Sequence, residues 1–201
     1  MVSTFQEHFR LRKKQNETMK HFLILLAFLL IFNFSFAQNK LYSSNKSEFS
    51  FFSKTPLEDI DAKNTRANSI INLSNKELVV RIPVSQFQFK NKLMQQHFNE
   101  NYMESENFPY ATFKGKINEE IDFSKAGTYS VSASGILNIH GIDQNRKLVG
   151  KLTVSENSLL LDTKFEVLLV DHKIDIPKLV FKKIAEKINV SANINYLPYQ
   201  K

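Results

Sequence analysis

The sequence predicts a mainly β protein, an antiparallel barrel or half-barrel of about eight strands with one or two short helices. Three observations lead to this prediction. Apolar and polar residues alternate with period two after residue 46, turn-forming residues separate consecutive alternating segments, and only two segments show helical spacing. Because a flat sheet of such strands would leave its apolar face in water, we expect the sheet to close with that face inside.

The predicted strands follow the alternation. In the longest of them, 128–139, apolar residues alternate with serines and an asparagine. Turn segments at 125–127, 140–145 and 156–158 join consecutive strands at hairpin spacing, which indicates an antiparallel meander. The eight predicted strands are 47–53, 69–73, 77–84, 110–117, 128–139, 147–154, 159–169 and 188–196.

Two segments are predicted as helices. Segment 91–106 places Leu93, Met94 and Phe98 at helical spacings. Segment 177–187 begins with a proline, which is favoured in the first turn of a helix. Helices appended to a closed sheet commonly plug an end or seal a side, so we expect these two to border the barrel.

The N-terminal segment is predicted to lie outside the folded domain. An uninterrupted apolar run of eleven residues, 22–32, is too short for a membrane-spanning helix, which needs about 20 residues. It is followed by Ser35-Phe36-Ala37, a small-x-small site. This pattern is typical of a secretory signal peptide cut after Ala37. We therefore expect residues 1–37 to be removed and residues 38–201 to form a periplasmic or extracellular domain. An uncleaved membrane anchor is the alternative, and either Met1 or Met19 is the start.

Composition excludes several classes of function. The chain has no cysteine, so disulfides, thiolate metal sites and a lipoprotein anchor are excluded. The segment after residue 37 carries 22 basic and 18 acidic residues, scattered too evenly for a nucleic-acid surface. Nucleotide-binding, HExxH and GxSxG motifs are absent from the sequence. The sequence accordingly predicts no nucleic-acid partner, no metal, no cofactor and no catalytic residues.

Alternation alone leaves the sidedness of the barrel open. A transmembrane barrel has its apolar side chains outside and its polar ones within. Charged residues in the middle of strands, such as Lys114, Lys116, Lys164 and Glu166, would then have to line a channel for which eight strands barely leave room. This favours the sense in which apolar groups face inward.

Three stretches of the chain resemble the YceI-like family: residues 93–117, 127–142 and 165–196. The most specific motifs are P-x-A-T-F at 109–113 and L-x-I-H-G at 137–141, and the similarity spans about residues 41–197. Two departures are a different turn sequence at 143–146 and the lack of the first-strand tryptophan that many relatives carry. The resemblance implies a secreted protein with a lipocalin-like barrel, whose elongated apolar tunnel holds an isoprenoid or another long-chain lipid.

The expected tunnel lining consists of the inward members of the predicted strands. Small residues among them either leave room for a ligand or admit bulky neighbours and, at Gly115 and Gly135, sharp coiling of the strands. His140, at the end of a strand, is the candidate contact for a lipid head group. The predicted lining residues are Leu78, Val80, Ile82, Ala111, Phe113, Tyr129, Val131, Ala133, Leu137, Leu161, Phe165, Val167, Ala192 and Ile194.

The predicted function is a carrier or store for an isoprenoid or similar lipid, with transient membrane contact and no enzymatic activity. Two alternatives remain at this point. One is an enzyme acting on a lipid head group through His140 or His172, and the other is a structural or interaction module with a solid core. The sequence leaves the oligomeric state open.

Overall fold

The computed structural model describes Lys20 and residues 41–54, 59–176 and 185–200. The chain divides into two units, Met1–Gln38 and Asn39–Lys201, and the fold described below is that of the second. Apart from Lys20, the predicted N-terminal extension and signal peptide lie outside the described residues. Within the described ranges, no helix is long and apolar enough to cross a membrane.

The described residues form ten strands in one antiparallel sheet, which closes on itself because β1 pairs with both β10 and β3. β2 pairs with the other end of β1, and β5 pairs with β2, so eight positions form the ring. The predicted mainly β, closed antiparallel eight-stranded barrel is confirmed. The strands are β1 Leu41–Lys54, β2 Asp59–Asn64, β3 Asn68–Asn72, β4 Glu77–Pro83, β5 Gln88–Phe89, β6 Tyr110–Ile117, β7 Gly127–Ile139, β8 Ile142–Val154, β9 Leu159–Leu168 and β10 Lys187–Pro198.

The sidedness favoured by the charged residues within the strands, with apolar groups inward, is correct. Alternate residues of the strands are buried inside the barrel, as in β4, where Leu78 and Val80 are buried and Val79 is exposed. The fully buried Tyr196 anchors the β10 side of this core. Its hydroxyl is 2.7 Å from Ser69 Oγ, and burial raises the pKa of the phenol.

The connection between β7 and β8 is shorter than predicted. Ile139 pairs with Ile142, so the turn contains only His140 and Gly141, with φ of 54° and 73°. Positive φ at both central residues is the signature of the type I′ hairpin turn, whose twist matches that of the flanking strands. The prediction of a six-residue connection at 140–145 was wrong, since residues 142–145 belong to β8.

One short helix, α1 (Lys92–His97), precedes a π-helical turn at Phe98–Tyr102. Asn91 caps the helix, because its side-chain oxygen accepts from the Leu93 N–H at 2.9 Å. The predicted helix over 91–106 is therefore right in place and too long. Of the second predicted helix, residues 177–184 lie outside the described residues, and Lys187 belongs to β10.

Two facing glycines bring β6 and β7 into close contact. Gly115 pairs with Gly135, and a Cβ on Gly135 would lie 2.2 Å from the Lys114 carbonyl oxygen. These two glycines therefore allow a close approach of the two strands, which the sequence did not predict.

Candidate ligand-binding cavity

The barrel encloses an apolar cavity of about 490 Å³. Thirteen of the fourteen predicted lining residues border it, the exception being Tyr129, whose hydroxyl donates to the Lys125 carbonyl oxygen. Such a volume lies within the usual range for small-molecule sites. The solid-core alternative predicts no internal void, and this cavity contradicts it. The thirteen are Leu78, Val80, Ile82, Ala111, Phe113, Val131, Ala133, Leu137, Leu161, Phe165, Val167, Ala192 and Ile194.

An aromatic cluster that the sequence did not predict lines one part of the cavity. It consists of Phe51, Phe87, Phe89 and Phe98, whose ring centroids lie 5.0–5.7 Å apart. Three of these rings come from β5, the residue before it and the turn after α1, outside the long alternating strands. Phe98 belongs to the apolar set of the predicted helix, whereas Phe87 and Phe89 lie outside every predicted element.

The lining offers little chemistry beyond apolar contact. Among the lining residues, the titratable groups are His97 and Tyr102, and burial raises the pKa of the Tyr102 phenol. The described residues contain no cluster of three or more His, Cys, Asp or Glu side chains suited to hold a metal ion. The arrangement suits a long apolar chain better than an ionic substrate, because a charge would lose its hydration here without gaining a partner.

His140 and His172 lie together at the β7–β8 hairpin and are not among the cavity-lining residues. His140 Nδ1 is 3.2 Å from the His172 carbonyl oxygen, its Nε2 is 3.3 Å from Glu104 Oε1, and its ring packs edge-on against Phe108 at 4.5 Å. His172 is fully buried, with Nδ1 3.3 Å from the Ile142 carbonyl oxygen. These contacts stabilise the hairpin. The predicted contact between His140 and a lipid head group stays a prediction.

Acidification to about pH 5 is expected to destabilise the fold through His172. Burial lowers the pKa of His172, so the unfolded chain takes up the proton at a higher pH than the folded chain. Stability should be insensitive to this group above its unfolded pKa of about 6.5 and should fall below it, by up to about 1.4 kcal/mol per pH unit between the two pKa values. Thermal unfolding midpoints measured across this range check the slope.

Two variants separate His172 from the other groups. His172→Asn keeps an amide in place of Nδ1 and should flatten the slope, whereas the exposed His97→Asn should leave it unchanged. Hydrogen bonds from the Ser132 N–H and hydroxyl lower the pKa of Glu119, whose contribution is lost only below its ordinary value of 4.5. An unchanged slope in His172→Asn would contradict the assignment.

The model of the YceI-like domain matches residues 33–196 of this chain. The chain belongs to the YceI-like family. Several solved structures share this YceI-like fold, while no curated protein matches the chain. A polyisoprenoid binding domain from Saccharophagus degradans, implicated in plant cell wall breakdown, is 14% identical with a TM-score of 0.69, over 79% of this chain and 98% of that one.

Two further structures show the same YceI-like architecture. BcnA from Burkholderia cenocepacia is 14% identical with a TM-score of 0.61, over 74% of this chain and 95% of that one. The YceI protein of Campylobacter jejuni is 16% identical with a TM-score of 0.51, over 62% of this chain and 74% of that one. At this identity the likeness establishes the fold.

Proposed function

We propose that this YceI-like protein binds a long-chain isoprenoid, or a similar amphiphilic lipid, with the tail inside the barrel. The apolar cavity of about 490 Å³ inside the barrel is the observation that carries the proposal. Its lining combines β-branched, leucine and phenylalanine side chains with the small residues Ala111, Ala133 and Ala192, which leave room between the larger ones. The likeness to the polyisoprenoid binding domain from Saccharophagus degradans supports the same class of ligand.

Energetics favour a carrier or store over a permanent complex. Burying a prenyl chain is worth about 0.8 kcal/mol per CH₂ relative to water. The chain normally resides in a membrane, which is equally apolar, so its transfer into the barrel changes the free energy little. Exchange can therefore run in both directions during transient contact with a membrane. A periplasmic or extracellular location, after removal of residues 1–37, is part of this proposal.

Native mass spectrometry of residues 38–201 tests the proposal. We expect one lipid mass per chain after mild purification, and uptake of geranylgeraniol by protein stripped of lipid. A five-carbon prenyl alcohol is the control, because it presents too few methylene groups to bind at comparable concentrations. A protein that carries no lipid and takes up neither geranylgeraniol nor a prenyl quinone contradicts the function.

A further inference from the structure

The barrel wall is interrupted between β8 and β9. These strands pair only from Gly150↔Thr163 to Val154↔Leu159, although β8 extends back to Ile142 and β9 forward to Leu168. Along 142–149, β8 keeps its full pairing with β7, so one edge of each strand is left without a strand partner in the described fold. We call the space between these two edges the β8–β9 gap.

Side chains of β8 bridge this gap in place of a backbone ladder. Arg146 Nη2 donates to the Glu166 carbonyl oxygen at 2.6 Å, and Gln144 Nε2 donates to the Asp171 carbonyl oxygen at 2.7 Å. Both side chains share the face of β8 that carries the cavity-lining Leu148, because residues two apart on a strand point the same way. The β8–β9 gap thus brings polar donors to the edge of an otherwise apolar lumen.

The cavity reaches the surface at this gap. Leu148, Gly150, Thr163 and Phe165 flank the point where pairing stops, and all of them line the cavity. Val149 also lines it and is nevertheless 60% exposed, as a residue at the rim of an opening would be. A tail in the lumen can therefore have its polar end at the β8–β9 gap.

Positive charge at the gap lacks a counter-charge. Within the described ranges no carboxylate lies within 4.0 Å of the Arg146 guanidinium or of the exposed Lys147 and Lys164 ammonium groups. The carboxylates near them have other partners: Glu166 pairs with Lys187 at 3.0 Å, Glu119 accepts from Ser132, and Asp162 accepts from Asn193 Nδ2 at 2.6 Å. An anion would meet a half-buried guanidinium that has spare N–H donors.

We propose that the β8–β9 gap is the head-group site. It takes the phosphate of a prenyl phosphate, with Arg146 as the direct ligand of that phosphate. This proposal rests on the function proposed above. The part of the cavity near α1 is less suited to an anion. Leu93 lines the cavity there and is 56% exposed, but the nearby Lys90 is already paired with Asp61 at 2.8 Å. A guanidinium matches phosphate geometry with two parallel hydrogen bonds, which an ammonium does not.

Competition binding of geranylgeranyl phosphate and geranylgeraniol tests the head-group site. The quantity of interest is the ratio of their affinities, because both ligands have the same tail. We expect the full chain from residue 38 to prefer the phosphate by about tenfold, as a charge-assisted hydrogen bond should give. In Arg146→Met this ratio should fall close to one, and Arg146→Lys should keep part of it.

Matched variants exclude a merely structural effect of Arg146. Gln144→Met removes the other bridge across the gap, and Lys151→Met removes a charge from the strand-paired part of β8; both should keep the phosphate preference. Inorganic phosphate should compete poorly, which would assign the site to a lipid head group rather than to free phosphate. Equal affinity for the two prenyl ligands in the wild type, or an unchanged ratio in Arg146→Met, overturns the head-group site alone. Binding of neither ligand overturns the proposed function together with it.

Discussion

Replacing Ala133 with phenylalanine is expected to reduce the affinity for geranylgeraniol about 100-fold. Ala133 lies on β7, is buried, and contributes its small side chain to the cavity lining. A phenyl ring at this position would occupy the space of roughly four methylene groups of the tail, each worth about 0.8 kcal/mol. The total of about 3 kcal/mol corresponds to about two orders of magnitude in affinity. Titration of lipid-free protein with geranylgeraniol, followed by native mass spectrometry, measures the loss of affinity.

The same substitution on the outer face of β7 is the matched control. Ile136 is 46% exposed and points away from the lumen, so Ile136→Phe should bind like the wild type. Overpacking a filled core costs about 1–3 kcal/mol, but the void beside Ala133 should limit the loss of stability. Wild-type affinity in a folded Ala133→Phe protein would place the tail outside the barrel. The unfolding midpoints of both variants show whether a loss of binding comes from a loss of fold.

The period-two pattern and the charged residues in the middle of strands together predicted the sidedness of the barrel. A strand shifted by one residue would expose its entire apolar set, so alternation is strongly constrained wherever one face is buried. In β6 the sequence predicted the same bounds, 110–117, that the structure shows, and Ala111, Phe113 and Ile117 are buried. Most of the cavity lining could be predicted for the same reason, because the lining is the inward face of such strands.

The alternation pattern did not predict strands whose inward residues are polar. β2 reads Asp-Ile-Asp-Ala-Lys-Asn, yet Asn64 within it is fully buried. Its side chain donates to the Pro83 carbonyl oxygen at 2.8 Å and accepts from the Arg66 N–H at 2.8 Å, so its burial is compensated. A rule that treats asparagine as a turn residue does not anticipate hydrogen bonds to distant backbone groups.

The first half of β8 was missed for a reason connected with the site. Gln144 and Arg146 occupy inward positions where the pattern would demand apolar residues, and both bridge the β8–β9 gap. Sequence rules are expected to fail where polar groups serve a purpose other than packing. The aromatic cluster was not predicted for another reason. The contacts of Phe87, Phe89 and Phe98 depend on how the chain folds back after β4.

Replacing Gly135 with alanine is expected to destabilise the barrel by about 3 kcal/mol, the upper end of ordinary overpacking costs. The new Cβ would lie 2.2 Å from the Lys114 carbonyl oxygen and 2.4 Å from Gly115 Cα. Both are backbone atoms of β6, so the clash can be relieved only if the two strands move apart and weaken their pairing. The midpoint of thermal unfolding should fall by about 6–12 °C, given about 2–4 °C per kcal/mol for a domain of this size.

Two further variants show that the strand contact, and not the loss of a glycine, causes this effect. In Gly115→Ala the three nearest atoms, two of the Phe113 ring and the Ser134 carbonyl oxygen, all lie at 2.7 Å, so the clash and the loss of stability should be smaller than in Gly135→Ala. Ile136 is the next residue of β7 after Gly135 and is exposed, so Ile136→Ala should shift the midpoint of thermal unfolding by no more than about 2–4 °C. If Gly135→Ala unfolds at the wild-type temperature, β6 and β7 are not held as closely as the facing glycines indicate. Because Gly115 and Gly135 pair within the part of the wall that carries the lining residues Phe113, Ala133 and Leu137, a destabilised Gly135→Ala should also bind geranylgeraniol more weakly even where it remains folded.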